Sequence, residues 1–294
     1  MVSGDDDQSG SDSQGDPGLQ QLYPDRNSAK LAGLYLSQDL RTCLPDDPAR
    51  CYVYSNFLSS LDGRIAVTDP ETGESGVPEA TANQRDWRLL LELAAPADAL
   101  IMNGRYLRDL SEGRAQSLPP YSGQIPNELV TFRERLGLPG KPVIVFLSRS
   151  LDIPTAALER LEEREIIIAT TEKAHRRDIR QLEARDVDVV SLGQGGVDGG
   201  RLMTFLAKRE LRLVYSIAGP EIMHVLLAAD VLQRLYLTTA LRILAGNHYA
   251  TIVHGPGFRT PVDFRLSALY LDSQGPDGVE QLLQVYDRMT PPDG

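Results

Sequence analysis

The chain has 294 residues, of which 41% are hydrophobic, which is enough for a sizeable buried core in one large domain or two small ones. Its formal net charge of −11 at pH 7 excludes a general binder of nucleic acid or of anionic membranes, because such binding needs basic residues that neutralise phosphates. No apolar run approaches the ~18 residues of a membrane span, and the N-terminus carries acids where a signal peptide carries bases. The composition therefore predicts a cytoplasmic protein.

Cysteine and histidine are too sparse to predict a disulfide framework or a metal site. The chain has two cysteines, Cys43 and Cys51, and its four histidines lack the spacing of a Cys₂His₂ zinc site. The His-x-Glu and Pro-Cys-x-x-Cys patterns of the zinc deaminases are also absent from the sequence. We therefore predict two free thiols and no metal.

The N-terminal part divides into two segments of different composition. Residues 1–17 hold five aspartates among Ser, Gly and Gln without a basic residue, which predicts a disordered acidic tail. Apolar residues return irregularly over 18–50, so we predict an N-terminal arm that packs either on the following domain or on a second subunit. That domain is predicted to cover residues 51–290.

A candidate site follows the first strand of this domain. A β-type segment at 52–57 runs into a polar turn over 58–63, and open α/β sheets present ligand-binding side chains where a strand ends. Asn56 offers donors and acceptors, Ser59 a hydroxyl and Asp62 a carboxylate, so one short loop could grip an amide-rich ring on several edges. The same residues are also ordinary turn chemistry, in which an Asp bonds its own backbone and a Gly takes a positive φ.

The following elements alternate between helix and strand. A loop is predicted over 70–78, and a helix over 84–93 could be capped by Thr81 or Asn83. Strands are predicted at 97–103, 142–147, 166–170, 187–192 and from Leu213. Helices are predicted at 158–163, 175–185, 201–209 and up to Ala228. This alternation predicts a single α/β domain with a mostly parallel sheet and helices on both faces.

Three strand ends carry residues that suit a phosphate-bearing cofactor. Gly104 and Arg105 stand between a buried strand and a helix, Ser148 and Arg149 put a hydroxyl beside a guanidinium, and the small residues of 218–221 precede a helix N-terminus. Solvated charges, an exposed basic loop and a common βα turn are the plain alternatives at these places. A fourth glycine-rich loop begins at Gly193, but its sixth position is Asp, so the dinucleotide fingerprint fails there.

The segment from Asn56 to Ala66 resembles a family signature, Asn-x-x-x-Ser-x-Asp-Gly-Arg-Ile-Ala. This signature opens the reductase domain of the riboflavin-pathway pyrimidine deaminase/reductases, a dihydrofolate-reductase-like family. Other segments are similar to the family's motifs in the same order: 97–103, 104–109, 148–154, 213–223, 230–239, 243–246 and 264–271. With no deaminase motif in the sequence, the resemblance is to the reductase half alone, from about residue 52 to 286.

The resemblance implies a dihydrofolate-reductase-like three-layer α/β/α fold and NADPH-dependent reduction of a small heterocycle, specifically a ribosylaminopyrimidine phosphate. It implies that Asn56, Ser59 and Asp62 lie around the substrate and the reacting face, with Asp62 the nearest candidate for a proton donor, provided that burial raises its pKa. It implies cofactor contacts at the following residues: Gly104, Arg105, Asp109, Ser148, Arg149, Gly193, Ala218, Gly219, Pro220 and Glu221. It also implies a homodimer.

The sequence departs from the family's pattern at places that concern function. Arg105 replaces a Thr that lies beside the cofactor in the family, and the Asp-x-Pro-x-Leu motif with its substrate-phosphate Arg is missing after Asp109. The turn at 217–219 keeps small residues but loses the family's Glu. A reductase-like domain without catalysis that binds a nucleotide or a protein partner, and a pterin or folate reductase, are therefore alternative interpretations.

Overall fold

The structure of the protein, a computed structural model, describes residues 18–69, 71, 73, 75–115, 125–161 and 164–289. The predicted acidic tail at 1–17 lies outside the described residues. The strands are β1 Leu19–Tyr23, β2 Asn27–Ser28, β3 Tyr52–Ser60, β4 Ala66–Thr68, β5 Ser75–Gly76, β6 Ala99–Asn103, β7 Val143–Leu147, β8 Ile166–Thr170, β9 Asp188–Ser191, β10 Leu213–Ser216, β11 Leu232–Ala240, β12 Tyr249–Ala250, β13 Phe264–Asp272 and β14 Gln281–Arg288. The helices are α1 Gln84–Ala94, α2 Arg105–Ser111, α3 Asn127–Arg135, α4 Thr155–Glu159, α5 Arg176–Glu183, α6 Gly199–Ala207 and α7 Pro220–Ala228.

The strands form one large sheet and one small sheet. The eleven-stranded sheet has the order β2-β1-β13-β14-β11-β3-β10-β6-β7-β8-β9, and β12-β4-β5 form the second sheet. From β11 to β9 neighbouring strands run parallel, whereas β14, β13, β1 and β2 add antiparallel pairings at one side. The predicted α/β domain with a mostly parallel sheet is confirmed.

Helices cover both faces of the large sheet. On one face α6 and α7 pack against alternate residues of the central strands, such as Val53, Ile101 and Val145. On the other face α1 and α3 cover a cluster rich in tyrosine, and α2, α4 and α5 cover β6 to β8. The runs Val143–Leu147 and Ile166–Thr170 are apolar at nearly every position because parallel strands are buried on both faces.

The arm at residues 18–50 packs on the large sheet of its own chain. Strand β1 pairs with β13, and the buried carboxylate of Glu92 on α1 accepts the N–H groups of Gly33 at 2.6 Å and Tyr35 at 3.0 Å. Tyr35 is thereby held over the sheet, with its ring 4.6 Å from that of Tyr236. The division of the chain into tail, arm and domain stays a prediction.

Most predicted elements agree with the structure to within two residues, and three predictions were wrong. The strand predicted at 52–57 continues to Ser60, because its far half pairs with β11. The helix predicted at 158–163 lies at Thr155–Glu159, with residues 162 and 163 outside the described residues. The loop predicted over 70–78 contains the short strand β5. Helix α3, with Leu129 buried, was not predicted at all.

Candidate active site

The large sheet has a step at the carboxyl end of its parallel strands. Strand β10 ends at Ser216, which lies beside Ser55, whereas β3 continues for five more residues to Ser60 along β11. After Ser216 the chain turns away from β3, since the Ile217 N–H donates to the Ile101 carbonyl at 3.1 Å. At ~3.3 Å per residue, β3 projects roughly 17 Å past its neighbour. We call the space bordered by residues 56–60 of β3 the carboxyl-edge crevice; α/β sheets bind ligands at such a place.

Asn56 is held at the start of this crevice by a stack of tyrosines. The Tyr215 hydroxyl donates to Asn56 Oδ1 at 2.6 Å, and the rings of Tyr215 and Tyr54 stack with centroids 4.9 Å apart. Burial raises the pKa of Tyr215 well above its usual value, so this phenol stays protonated and remains a donor. With its oxygen occupied, the half-buried Asn56 amide presents its N–H groups to a ligand.

Asp86, in the first turn of α1, is a buried carboxyl on the same face of the sheet. The Thr238 hydroxyl of β11 is near enough to its side chain to favour the ionised carboxylate. Burial raises the pKa of Asp86 from 3.8 to about 6, and the hydrogen bond from Thr238 offsets only part of this effect. Asp86 was not predicted as a site residue, because Asn83-x-x-Asp86 is a common helix-capping pattern, and Asn83 does accept the Asp86 N–H at 2.8 Å.

Asp62 lies at the far end of β3 and ties two loops together. Its carboxylate accepts the N–H groups of Leu244 at 3.3 Å and Ala245 at 3.0 Å, and it pairs with Arg64. A hydrogen bond from the Ser60 hydroxyl, with smaller contributions from these N–H groups and from Arg64, lowers the pKa of Asp62 to about 2. Asp62 is therefore ionised at neutral pH, and the structure does not support it as a proton donor.

The predicted loop that holds Asn56, Ser59 and Asp62 around one ring is not formed. Because side chains alternate along a strand, Asn56 and Ser59 point to opposite faces of the sheet. Ser59 is buried and faces the same side as Phe57, which packs in the cluster formed with α6 and α7. Asp62 comes six residues after Asn56, beyond the end of β3. Of the three predicted residues, only Asn56 therefore faces the tyrosine side of the crevice.

Gly104 and Ser148, two of the predicted cofactor residues, are in direct contact. The Gly104 N–H donates to the Leu147 carbonyl at 2.9 Å, and a Cβ on Gly104 would lie only 2.7 Å from Ser148 Cβ. Glycine is thus required where β6 meets the loop after β7. Ser148 is buried by this contact, whereas Arg149 is exposed.

Arg105 and Asp109 lie on one face of helix α2. Their side chains form an ion pair at 3.7 Å, and the Arg105 guanidinium is 65% exposed. Asp109 also pairs with Arg114 at 3.2 Å. Since β6 and β7 are neighbours, Arg105 and Arg149 follow adjacent strand ends, where two exposed guanidinium groups can meet one phosphate.

The turn at 218–221 stands at the start of α7, directly after β10. Gly219 is the N-cap residue without a side-chain cap, and Pro220 occupies the first turn. A Cβ on Gly219 would meet no atom of a non-neighbouring residue within 4 Å, so the space in front of this helix start is open. The buried Ser216 Oγ, just before the turn, has no hydrogen-bond partner among the described residues.

Gly193 lies apart from the turn at 218–221 that precedes α7. It begins the loop 193–198 after β9, at the edge of the sheet, and a Cβ there would lie 2.2 Å from the Gly196 carbonyl oxygen. This loop and Arg201 line a shallow cleft of about 420 Å³. Strand β9 is four strands from β10, or roughly 19 Å at ~4.8 Å per strand. Gly193 therefore lies far from the turn at 218–221.

The described residues form neither a metal cluster nor a membrane span. In that part of the chain, no group of three or more His, Cys, Asp or Glu side chains could hold a metal ion. Cys43 and Cys51 are free. None of the helices over the described ranges is long and apolar enough to cross a membrane.

The fold and the crevice define a class of protein, the α/β reductases with a dihydrofolate-reductase-like fold. The sequence matches the model of the RibD C-terminal domain over residues 51–275, which is most of the chain. The chain belongs to the RibD C-terminal domain family, as the resemblance predicted. It is an oxidoreductase of the pyrimidine-reductase type in riboflavin biosynthesis, and this class implies a nicotinamide cofactor.

Solved structures share the fold at low sequence identity. A pyrimidine reductase-like protein from Corynebacterium diphtheriae is similar with a TM-score of 0.65 and 19% identity, over 86% of this chain and 98% of that one. The riboflavin biosynthesis reductase Rib7 of Saccharomyces cerevisiae gives a TM-score of 0.54 and 15% identity, over 86% of this chain and 99% of that one.

A third similar structure is longer than this chain. It is a diaminohydroxyphosphoribosylaminopyrimidine deaminase/5-amino-6-(5-phosphoribosylamino)uracil reductase from Thermotoga maritima, with a TM-score of 0.53 and 15% identity. The similarity covers 87% of this chain and 60% of that one. The present chain thus spans less than two thirds of a protein whose name includes a deaminase as well as a reductase.

Proposed function

We propose that the protein is an NADPH-dependent reductase of a ribosylaminopyrimidine phosphate. The observation that carries this proposal is the step in the sheet, which brings the polar side chains of β3 and the open helix start at Gly219 to one edge. The crevice suits an amide-rich ring, and the helix start suits a pyrophosphate. A heterocycle and a dinucleotide could therefore meet there. The cytoplasmic location stays a prediction.

The residues at this edge fit a dinucleotide phosphate. Gly104 leaves no room for a side chain, Gly219 faces open space, and Ser216 Oγ is a buried hydroxyl without a partner among the described residues. The residues that would hold the cofactor are Gly104, Arg105, Asp109, Ser148, Arg149, Ala218, Gly219, Pro220 and Glu221, with Gly193 at the far edge of the sheet. The exposed guanidinium groups of Arg105 and Arg149 favour a 2′-phosphate, hence NADPH over NADH.

The protein's own part in the reaction is positioning. When bound, the cofactor supplies the hydride. Tyr215 fixes the Asn56 amide so that its N–H groups bind and orient the substrate ring. Asp62, which stays ionised, holds the loop at Leu244 and Ala245 against the end of β3. No step needs a proton from Asp62.

A thermal-shift titration tests the cofactor site. NADPH and 2′-phospho-AMP are expected to raise Tm, because a ligand at a hundredfold excess over Kd stabilises the folded protein by about 2.7 kcal/mol. NADH is expected to give no comparable rise in Tm. A similar shift with NADH would contradict the 2′-phosphate assignment. NADPH binding without NADPH consumption on any pyrimidine or folate would favour the interpretation without catalysis, and consumption on a folate or pterin alone would favour the third interpretation.

Replacing Gly219 with alanine is expected to weaken NADPH binding roughly tenfold without changing Tm. The added methyl group would occupy the open space before α7, where a pyrophosphate would approach the helix, and the φ of −71° is accessible to alanine. Gly140→Ala is the matched control, because Gly140 also faces open space but precedes β7, at the opposite end of that strand from Ser148 and Arg149. Equal NADPH affinity in both variants and the wild type would remove Gly219 from the site.

We also propose a homodimer, with residues 19–48 or the closing strands as the predicted interface. Two exposed apolar residues, Leu61 (54% exposed) and Ile243 (69% exposed), also lie near each other, because the Leu61 N–H donates to the carbonyl of Arg242. Light scattering at micromolar concentration is expected to give twice the mass of the chain. A mass of one chain at that concentration would contradict the proposal.

A further inference from the structure

A cavity of about 420 Å³ lies beside the second half of α7. Its walls are the end of that helix, the loop 256–262 and Arg288, the last residue of β14. Phe258 and Val262 of the loop pack with the cluster of α6 and α7. Asn56 points to the other face of the sheet, because its neighbour Phe57 belongs to the same cluster as α7 and side chains alternate along a strand. The cavity and the carboxyl-edge crevice are therefore on opposite faces.

The strand register also separates the cavity from the crevice. Asp287, which precedes Arg288, pairs with Arg234 of β11, whereas Ser60 at the end of β3 pairs with Ala240. At ~3.3 Å per residue, the stretch of β11 between these two positions spans roughly 20 Å. The cavity thus lies toward the amino end of β11, away from the strand ends that the proposed reductase site uses.

The loop wall of the cavity is fixed to α7 by His224. Its Nε2 lies 2.7 Å from the Pro256 carbonyl oxygen, so this nitrogen carries a proton and donates it. The His224 ring also stacks on Phe258, with centroids 4.8 Å apart and planes inclined by 11°. A Cβ on Gly255 would lie 2.4 Å from the imidazole Cδ2, so glycine permits this close approach. Specific contacts therefore form the wall.

Arg288 brings a cation with an unused donor to this cavity. Its Nη2 pairs with Asp230 Oδ1, but its Nη1 is buried and has no hydrogen-bond partner among the described residues. A buried N–H without an acceptor costs free energy, which an anion bound beside it would recover. The ionisable side chains lining the cavity are those of Arg288, Arg259, Asp230 and His224. With neutral His224, one positive charge is in excess, although the whole chain has a net charge of −11.

We propose that this cavity binds an organic monocarboxylate with a ring-sized apolar body. The carboxylate pairs with the Arg288 guanidinium and neutralises the excess charge. A phosphate dianion suits the cavity less well, because it brings a second negative charge close to Asp230. The apolar body contacts the rest of the lining, which is mainly apolar: Leu227, Ala228, Phe258, Pro261 and Val262. The volume is within the range of small-molecule sites, which combine apolar walls with few polar groups.

Calorimetry with benzoate tests this site, with benzamide and acetate as matched probes. Benzamide has the ring without the charge, and acetate has the charge without the ring. Benzoate is expected to bind saturably and at least about 10-fold more tightly than either, because both the guanidinium and the apolar lining contribute. Arg288→Met is expected to lower the affinity for benzoate to that for benzamide. Benzamide binding as tightly as benzoate would overturn the role of Arg288, and acetate binding as tightly would overturn the apolar part of the site.

A second variant tests the location of the site without changing Arg288. Ala228 is the exposed last residue of α7 and lines the cavity, so Ala228→Phe is expected to fill it and to weaken benzoate binding at least about 10-fold. Ala184→Phe is the matched control, because it adds the same ring to an exposed alanine directly after α5. A cooperative thermal transition shows that each variant is folded.

Two results would overturn the proposed carboxylate site. One is unchanged benzoate affinity in a folded Ala228→Phe variant, and the other is the absence of saturable benzoate binding to the wild type. Either result would leave the reductase proposal standing, because that proposal uses residues at the carboxyl ends of the strands. Failure of NADPH binding would likewise leave the carboxylate site untouched.

Discussion

Asp62→Ala and Asp62→Asn are expected to lower kcat/KM about 100-fold while leaving NADPH affinity within a few fold of the wild type. The Asp62 carboxylate accepts the N–H groups of Leu244 and Ala245 and also pairs with Arg64, which donates to the Gly246 carbonyl at 3.0 Å, so its loss would loosen the loop that borders the crevice. A displacement of about 1 Å in a positioned substrate can reduce the rate by a factor of this size. NADPH consumption and NADPH titration measure the two quantities separately.

The pH dependence of the activity distinguishes this positioning role of Asp62 from proton donation. Because the pKa of Asp62 is lowered to about 2, the group does not titrate above pH 4, and the residual activity of Asp62→Asn should keep the wild-type pH dependence. Asp47→Asn is a matched control, since Asp47 only caps the exposed Ala49 N–H with its side chain. A pH dependence near neutrality that disappears in Asp62→Asn would instead identify Asp62 as the acid.

Asp86→Asn is expected to remove a pH dependence of stability worth about 3 kcal/mol. The pKa of Asp86 is raised in the folded protein from 3.8 to about 6. The stabilising contribution of the protonated carboxyl is therefore fully present below about pH 4 and is lost as the pH rises through about 6. This loss amounts to about 1.4 kcal/mol for each pH unit that separates the pKa values of the unfolded and folded states. Relative to Asp86→Asn, the wild type should lose this amount of unfolding free energy between pH 4 and pH 8.

Urea denaturation of both proteins at pH 4, 6 and 8 measures this difference, and effects of other titrating groups cancel in the comparison. Glu183→Gln, which changes an exposed acid on α5, is the control and should follow the wild type at every pH. Parallel stability curves for the wild type and Asp86→Asn would show that Asp86 has an ordinary pKa. A carboxylate that is kept ionised in the interior at a cost in stability is typical of a binding or catalytic group.

The sequence alone determined the type and bounds of those elements that depend mainly on neighbouring residues in the chain. The β-branched run 166–170 is a strand buried on both faces, and its predicted bounds are those of the structure. Helix α1 begins after Asn83, one of the two predicted caps, because its side chain accepts the Asp86 N–H. The ordered motifs also identified the family, which the match over residues 51–275 confirms.

The sequence could place candidate residues at strand ends, but it could not say which of them meet. Gly104 and Ser148 are 44 residues apart in number and touch because β6 and β7 are neighbours. Gly193 has similar chemistry but lies at the edge of the sheet, and no local signal shows the strand order. The roles of the predicted site residues therefore stay proposals that the variants above test.

Only the tertiary structure decided how the crevice is built. Ser59 and Ser60 have the composition of a turn, yet they extend β3 because β11 supplies hydrogen-bond partners from a distant part of the chain. Asp86 has the sequence context of a helix cap, yet packing of α1 on the sheet buries its carboxyl against Thr238. Local propensity determines which secondary structure a segment can form. Strand pairing and burial determine which side chains lie together and how far water is excluded from them, and their pKa values and binding properties follow from those surroundings.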